Sequence, residues 1–168
     1  MKPCGATNVF FNSYKSNARG VAIFLNNTFE YKVHQEKRDN DGNLLALDIT
    51  IEDNRVTIVN IYGPNIDSPE FYEYVREVFL ELDNEYYILL GDFNLVLNPD
   101  IDTFNYNSIN NPKARGKVLE IMDDLRLLDY FRILYPDRRV YTWHKKTPLK
   151  QGRLNYILIS ESMSIFGP

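Results

Sequence analysis

A single cysteine, Cys4, stands in a chain of 168 residues. No intrachain disulfide can form, a Cys-rich zinc site is excluded, and a reducing, intracellular setting is expected. No apolar run approaches the roughly 20 residues that cross a bilayer. The N-terminus lacks the charged-then-apolar pattern of a secretion signal, so no membrane partner is expected. The P-loop, G-x-S-x-G, H-E-x-x-H and C-x-x-C patterns are all missing, which removes the common nucleotide-binding, serine-hydrolase, zinc-protease and thiol-redox classes. Asp92-Phe-Asn94 begins like a calcium loop, but Val96 brings no oxygen ligand and Leu97 replaces the glycine such a loop needs. Histidine is scarce: His34 and His144 have no partner at ligand spacing and read as surface residues. Only one tryptophan is present, against 12 Tyr and 10 Phe, a composition that leans towards sheet.

What is there suits one globular domain, with 44% hydrophobic and 25% charged residues. The net charge of −4 argues against a general nucleic-acid binder, but its distribution argues the other way. The stretch from Arg132 to Arg153 carries a local balance of +6, while residues 1–131 sum to −9. Clustered positive charge is the footprint of phosphate contact, and a solvated loop rich in Lys and Arg is the alternative.

Along the chain, residues 1–18 show no periodicity beyond Val9-Phe-Phe11. Arg19–Leu25 reads as a strand, Asn26-Asn27 as a hairpin turn and Thr28–Glu36 as the return strand. Leu45, Leu47, Ile49 and Ile51 alternate as a third strand, and Val56–Tyr62 returns as a fourth. An antiparallel meander of these strands is the expectation. Gly63-Pro-Asn65 ends it. Ser68 and Pro69 open a helix with Phe71, Val75, Val78 and Leu82 on its apolar stripe and Glu73, Glu77 and Glu81 outside. A second helix follows Asn111-Pro112, with Val118, Ile121, Met122, Leu125 and Leu128 inward. Val140–Trp143 and Arg153–Ile159 read as strands joined by a basic loop, His144–Gly152. The fold class expected is α/β, two sheets face to face with helices outside.

The stretch these elements are organised around is Tyr86-Tyr-Ile-Leu-Leu-Gly-Asp-Phe-Asn94. It reads as a buried strand, a glycine that lets the backbone turn tightly, and then a carboxylate and an amide at the strand's C-terminal end, where α/β sheets bind ligands. Asp92 and Asn94 together suit a phosphate and an attacking water. The alternative is a turn whose side chains bond only local backbone.

Four segments occur in a fixed order: Asn60-Ile-Tyr-Gly-Pro-Asn65, Gly91-Asp-Phe-Asn94, Tyr141-Thr-Trp143 and Arg153-Leu-Asn-Tyr-Ile-Leu158. This set resembles the endonuclease/exonuclease/phosphatase superfamily. Arg19-Gly-Val-Ala-Ile, Asn111-Pro-Lys-Ala-Arg115 and Pro148-Leu-Lys-Gln151 resemble one branch of it, the apurinic-type endonuclease domain of LINE-type (non-LTR) retrotransposons. The resemblance implies a four-layer α/β sandwich of two mixed or antiparallel sheets flanked by helices, and Mg²⁺-dependent hydrolysis of a DNA phosphodiester that nicks one strand. It implies that Asp92 orients or deprotonates the attacking water and touches the metal. It also implies that Asn94 and Tyr62 bind the scissile phosphate and that Thr142 contacts the DNA backbone. Lys145, Lys146, Lys150 and Arg153 are the expected basic contacts, DNA the expected partner, and a reverse transcriptase domain the expected neighbour in a full-length element.

The match breaks in three places. The family's opening β-α-β unit supplies a metal-binding Glu, yet residues 1–18 contain no acid. The family closes on Ser-Asp-His, yet residues 156–168 contain neither Asp nor His. Asn155 stands where the family has the Asp that steadies that histidine. The expectation is a domain incomplete at both ends and catalytically impaired, with open sheet edges prone to self-association. The alternatives are a site completed by another chain or segment, a non-catalytic DNA-binding remnant, and a phosphodiesterase of the same superfamily with a lipid or inositol substrate.

Overall fold

The computed structural model describes residues 7–15, 18–106 and 108–166; Cys4 lies outside them. In chain order the elements are β1 (Thr7–Lys15), β2 (Ala18–Asn26), β3 (Tyr31–Arg38), β4 (Leu44–Ile51), β5 (Asn54–Tyr62), α1 (Pro69–Leu82), β6 (Tyr86–Asp92), α2 (Pro99–Asp102) and β7 (Thr103–Phe104). There follow α3 (Pro112–Asp124), β8 (Leu127–Asp129), α4 (Tyr130–Leu134), β9 (Trp143–Lys146), β10 (Leu149–Gly152), β11 (Asn155–Ser160) and a closing 3₁₀ turn.

A six-stranded mixed sheet in the order β3-β4-β5-β6-β11-β8 forms the middle of the molecule. Its β5-β6 pair is parallel and the others are antiparallel. The chain crosses from β5 to β6 through α1, as a parallel pair requires. Strand β4 is buried on both faces. Leu44 and Ala46 meet the helices, with Val75, Val78 and Phe79 of α1 and Val118 and Ile121 of α3 in the same core. Leu45, Leu47 and Ile49 face the other way and pack on Val21, Ile23 and Leu25 of β2. Helices, central sheet and the β1-β2 ribbon thus form successive layers, an α/β sandwich. At roughly 25 cal/mol per Å² of apolar area, these two cores are the main source of stability.

Helix α1 begins at Pro69, and its apolar stripe is joined by buried Tyr72 and Phe79. Of its outward acids, Glu73 pairs with Lys117 at 3.0 Å and Glu81 pairs with Lys37. Three expectations need correction. The strand after Arg19 does not pair with the strand that follows it: β2 pairs with β1, while β3-β4-β5 make the meander. Burial of Val21, Ile23 and Leu25 across the face of the central sheet outweighs local hairpin closure, and Asn60 Nδ2 ties β2 down through Ala22 O at 2.9 Å. Leu128 lies in β8, not on a helix. The basic loop is a hairpin, β9-β10, whose β10 also pairs with β7 in a separate three-stranded sheet.

Candidate phosphodiester site

The site is built by strand register. Tyr62, the last residue of β5, is the partner of Asp92, the last residue of β6, and Asn155, the first of β11, is the partner of Asp92 on its other side. Partners in neighbouring strands sit about 5 Å apart on one face, so Tyr62, Asp92 and Asn155 form a row. Gly91 makes the row possible. Its φ is +129°, and a Cβ there would lie 2.0 Å from Ile61 O, so only glycine lets β5 and β6 pair to their ends.

Beyond the row the chain turns sharply. Asn94 adopts φ +49°, and its N–H donates to Asp92 Oδ1 at 2.9 Å. Its side-chain amide donates to Gly63 O at 2.6 Å. Asn110 and Asn111 donate to Asn94 O at 2.8 and 3.0 Å. Asn94 is thus held from three sides beside Asp92. Beneath the turn, the stacked Tyr72 and Phe93 rings and the edge-on Tyr156 ring form a rigid aromatic floor. Burial pushes the Asp92 carboxyl above the ordinary carboxylate range, with the Asn94 N–H partly opposing the shift. A carboxylate shifted upward at the end of a sheet can hold or accept a proton from a water.

Thr142 lies next to the row. Its hydroxyl accepts N–H bonds from Leu154 at 2.9 Å and Asn155 at 3.2 Å, which leaves its O–H to donate outward from an exposed side chain. Lys145 and Lys150 are register partners on the β9-β10 hairpin. They line a cleft of about 390 Å³ together with Asn65, Asn94, Tyr106 and Trp143. Lys150 Nζ lies 5.8 Å from the centre of the Tyr106 ring. Strand alternation puts Lys146 on the opposite face of the hairpin, exposed.

Arg153 is a correction. It is 3% exposed, and its guanidinium bonds both oxygens of Asp102 at 2.9 Å and reaches Asp129 with two further N–H groups. It stacks over Tyr156 at 4.4 Å. Burial works against its charge, but the two carboxylates outweigh it and hold the group ionised. It has no face left for DNA. Sequence reasoning missed this cluster, and it missed the clamp of Asn110 and Asn111 on Asn94. The only hint of the clamp was the run of asparagines between Asn105 and Asn111.

The two histidines are exposed, His34 against Thr50 at 2.7 Å and His144 against Gln151 at 3.0 Å. Among the described residues no three His, Cys, Asp or Glu side chains are grouped to hold a metal. Asp92 is the one carboxylate in the row, and one of its oxygens is taken by Asn94 N–H. Mg²⁺ wants near-octahedral oxygen ligation with one or two carboxylates and a substrate phosphate. The residues present do not by themselves make that site.

No family model matches the chain. Solved structures do. The catalytic domain of Xenopus laevis APE2 superposes with a TM-score of 0.70 at 18% identity, over 97% of this chain and 68% of that one. The chain has the endonuclease/exonuclease/phosphatase fold. A 3'-5' exonuclease, NExo, from Neisseria meningitidis matches with a TM-score of 0.66 at 23% identity, over 95% and 69%, and NExo has also been solved bound to a product DNA hairpin. The endonuclease domain of TRAS1, a telomere-specific non-LTR retrotransposon, matches with a TM-score of 0.64 at 14% identity, over 94% and 68%. The chain therefore spans about two thirds of the length of each of these neighbours. Among the described residues no helix is long and apolar enough to cross a membrane.

Proposed function

We propose that this chain is a retrotransposon-type endonuclease domain that grips a DNA phosphodiester and whose own residues leave its cleavage impaired. The observation that carries the reading is the register row Tyr62–Asp92–Asn155, flanked by the Thr142 hydroxyl and the Lys145–Lys150 cleft. In this reading the scissile phosphate lies over the row, with the Tyr62 hydroxyl and the Asn94 side chain as its neutral partners. Asp92 orients the attacking water and takes its proton, and its raised pKa suits that role. Asn155 offers an amide in place of the family's carboxylate. Mg²⁺ remains the family's expectation, but the row offers it a single carboxylate, so no step is assigned to it. A reverse transcriptase domain on the same polypeptide, self-association through strand edges and an intracellular setting are part of the same proposal.

A non-catalytic DNA-binding role is the second reading, favoured by the lone carboxylate. A lipid or inositol phosphodiester as substrate fits the Lys145–Lys150 cleft less well, because paired lysines beside Tyr106 and Trp143 suit a chain of phosphates with stacking bases. The test is duplex-DNA binding by fluorescence anisotropy across a salt series. With Lys145 and Lys150 each neutralising one phosphate, log K should fall against log salt with a slope of about −1.8. Binding that is equally strong at low and high salt contradicts the reading.

A further inference from the structure

The backbone next to the buried cluster around Arg153 is bonded to the Thr142 hydroxyl, to the turn after Asp92 and, through β7, to the hairpin. Arg153 N donates to Asp102 O at 2.9 Å, while its side chain grips both oxygens of Asp102. Arg132 closes the cluster from outside, with Nη2 on Asp102 Oδ1 and Nη1 on Arg138 O at 2.7 Å. Asp129 holds the outer arm of Arg153 from the end of β8. Two cations and two anions balance, so the cluster is neutral, with buried Arg132 Nε left without a hydrogen-bond partner among the described residues. The next residues after Arg153 matter. Leu154 O accepts from Phe93 N at 2.8 Å, which fixes the turn after Asp92. Leu154 N and Asn155 N are the two donors on the Thr142 hydroxyl. On the other side, Asp102 leads directly into β7, which pairs with the hairpin strand β10 at Thr103↔Gly152 and Phe104↔Gln151.

We infer that Arg153 is a positioning residue for DNA binding: it acts through the Leu154 and Asn155 amides to aim the Thr142 hydroxyl and through Asp102 and β7 to set the β9-β10 hairpin, and it touches no phosphate itself. This rests on the functional reading above. The reason is geometric. Thr142 has one remaining donor, and its direction is set by the two N–H groups that occupy its oxygen. Those groups belong to the two residues immediately after Arg153. A guanidinium satisfied on two carboxylates and two rings holds that backbone more rigidly than an ammonium, which makes point contacts on a flexible stem.

The experiment compares the wild type, Arg153→Lys, Arg153→Met, Thr142→Val, the Arg153→Lys/Thr142→Val double variant and Lys150→Ala. Three readouts are used: anisotropy on a short DNA duplex across a salt series, amide hydrogen exchange at Leu154 and Asn155, and a thermal melt as fold control. Arg153→Lys and Thr142→Val should each weaken binding about three- to ten-fold, the worth of one hydrogen bond. The double variant should be no weaker than the weaker single one, since both act through one hydroxyl. The salt slope should be unchanged in Arg153→Lys, while Lys150→Ala should reduce its magnitude by about 0.9. Leu154 and Asn155 amides should exchange faster in Arg153→Lys. A lowered salt slope in Arg153→Met would make Arg153 a phosphate contact and overturn the inference, as would additive losses in the double variant. If Arg153→Lys fails to fold, Asp129→Asn, which loosens only the outer arm, is read by the same measurements. A wild type that binds no DNA would sink the functional reading, whereas unchanged amide exchange in Arg153→Lys would sink the positioning, so the two failures are separable.

Discussion

Replacing Gly91 with alanine tests whether strand register builds the site. Gly91 sits at φ +129°, and an added Cβ would meet Ile61 O at 2.0 Å, Asn60 Oδ1 at 2.8 Å and Ile61 N at 2.9 Å. Two of these are backbone atoms of the strand paired to it, so no side-chain rotation relieves the contact. An L residue held in a sparsely populated backbone region costs about 1–3 kcal/mol. Shifting β5 away from β6 adds overpacking of similar size, about 1–3 kcal/mol. The total is about 2–6 kcal/mol, reaching the upper end of single substitutions. Gly116 provides the opposite sign in the same chain. It is exposed within α3, and a Cβ there meets nothing within 4 Å. Gly116→Ala should therefore stabilise by about 0.5–1 kcal/mol through helix propensity. Urea unfolding followed by far-UV circular dichroism reads both. With an m-value of about 2 kcal/mol/M, Gly91→Ala should lower the midpoint by about 1–3 M with m unchanged. A fall of less than about 0.5 M would refute the argument that Gly91 is what lets Tyr62 and Asp92 stand side by side.

Asp92→Asn should stabilise the fold at neutral pH. Its folded pKa is raised by burial, so the wild type bears a cost that sets in as pH rises above the unfolded carboxylate value of about 3.9. The difference between variant and wild type should be small in acid and grow to a plateau above the raised pKa, measured by urea midpoints across pH; a gain independent of pH contradicts it. Asp48 goes the other way: the Arg55 guanidinium holds its carboxyl below the usual range, through bonds of 2.6 and 3.0 Å to a nearly buried group. That stability is present above the unfolded pKa and is lost as pH falls through the lowered one, so Arg55→Met should flatten the acid limb of the wild-type stability curve. An unchanged acid limb would remove the pair from the account.

The parts of the fold legible in the sequence are those with clean periodicity. Strand β4 alternates and α1 repeats at helical spacing, and Gly91 followed by Asp92 marked where β6 ends. Strand β1 was not legible because it is an exposed ribbon in which Asn12 is the buried residue. That asparagine bonds Leu44 O and Asp39, a non-local arrangement. The β9-β10 hairpin reads as a loop because all four residues of β9 are exposed and show no apolar alternation, with two lysines at its end. Arg153 sits in the same basic run as Lys150, yet its carboxylate partners lie far off in the chain, at Asp102 and Asp129. Residue type and neighbours cannot separate a buried cation from a phosphate contact. For Asp92, Tyr62 and Asn155 the outcome is different, because strand ends after recognisable turns place side chains at one sheet edge whatever the loops do.

The most direct measurement is a supercoiled-plasmid nicking assay with Mg²⁺ on the wild-type chain, Asn155→Asp, and Asn155→Asp combined with Asp92→Ala. Loss of one acid–base group typically costs about 10²–10⁴-fold, and groups that act as a unit do not lose activity additively. With Asp92 the lone carboxylate of the row and no histidine in residues 156–168, restoring one charge at position 155 should leave nicking near background. Nicking that appears with Asn155→Asp and disappears with Asp92→Ala would show the site to be nearly complete, and would contradict an impaired endonuclease domain.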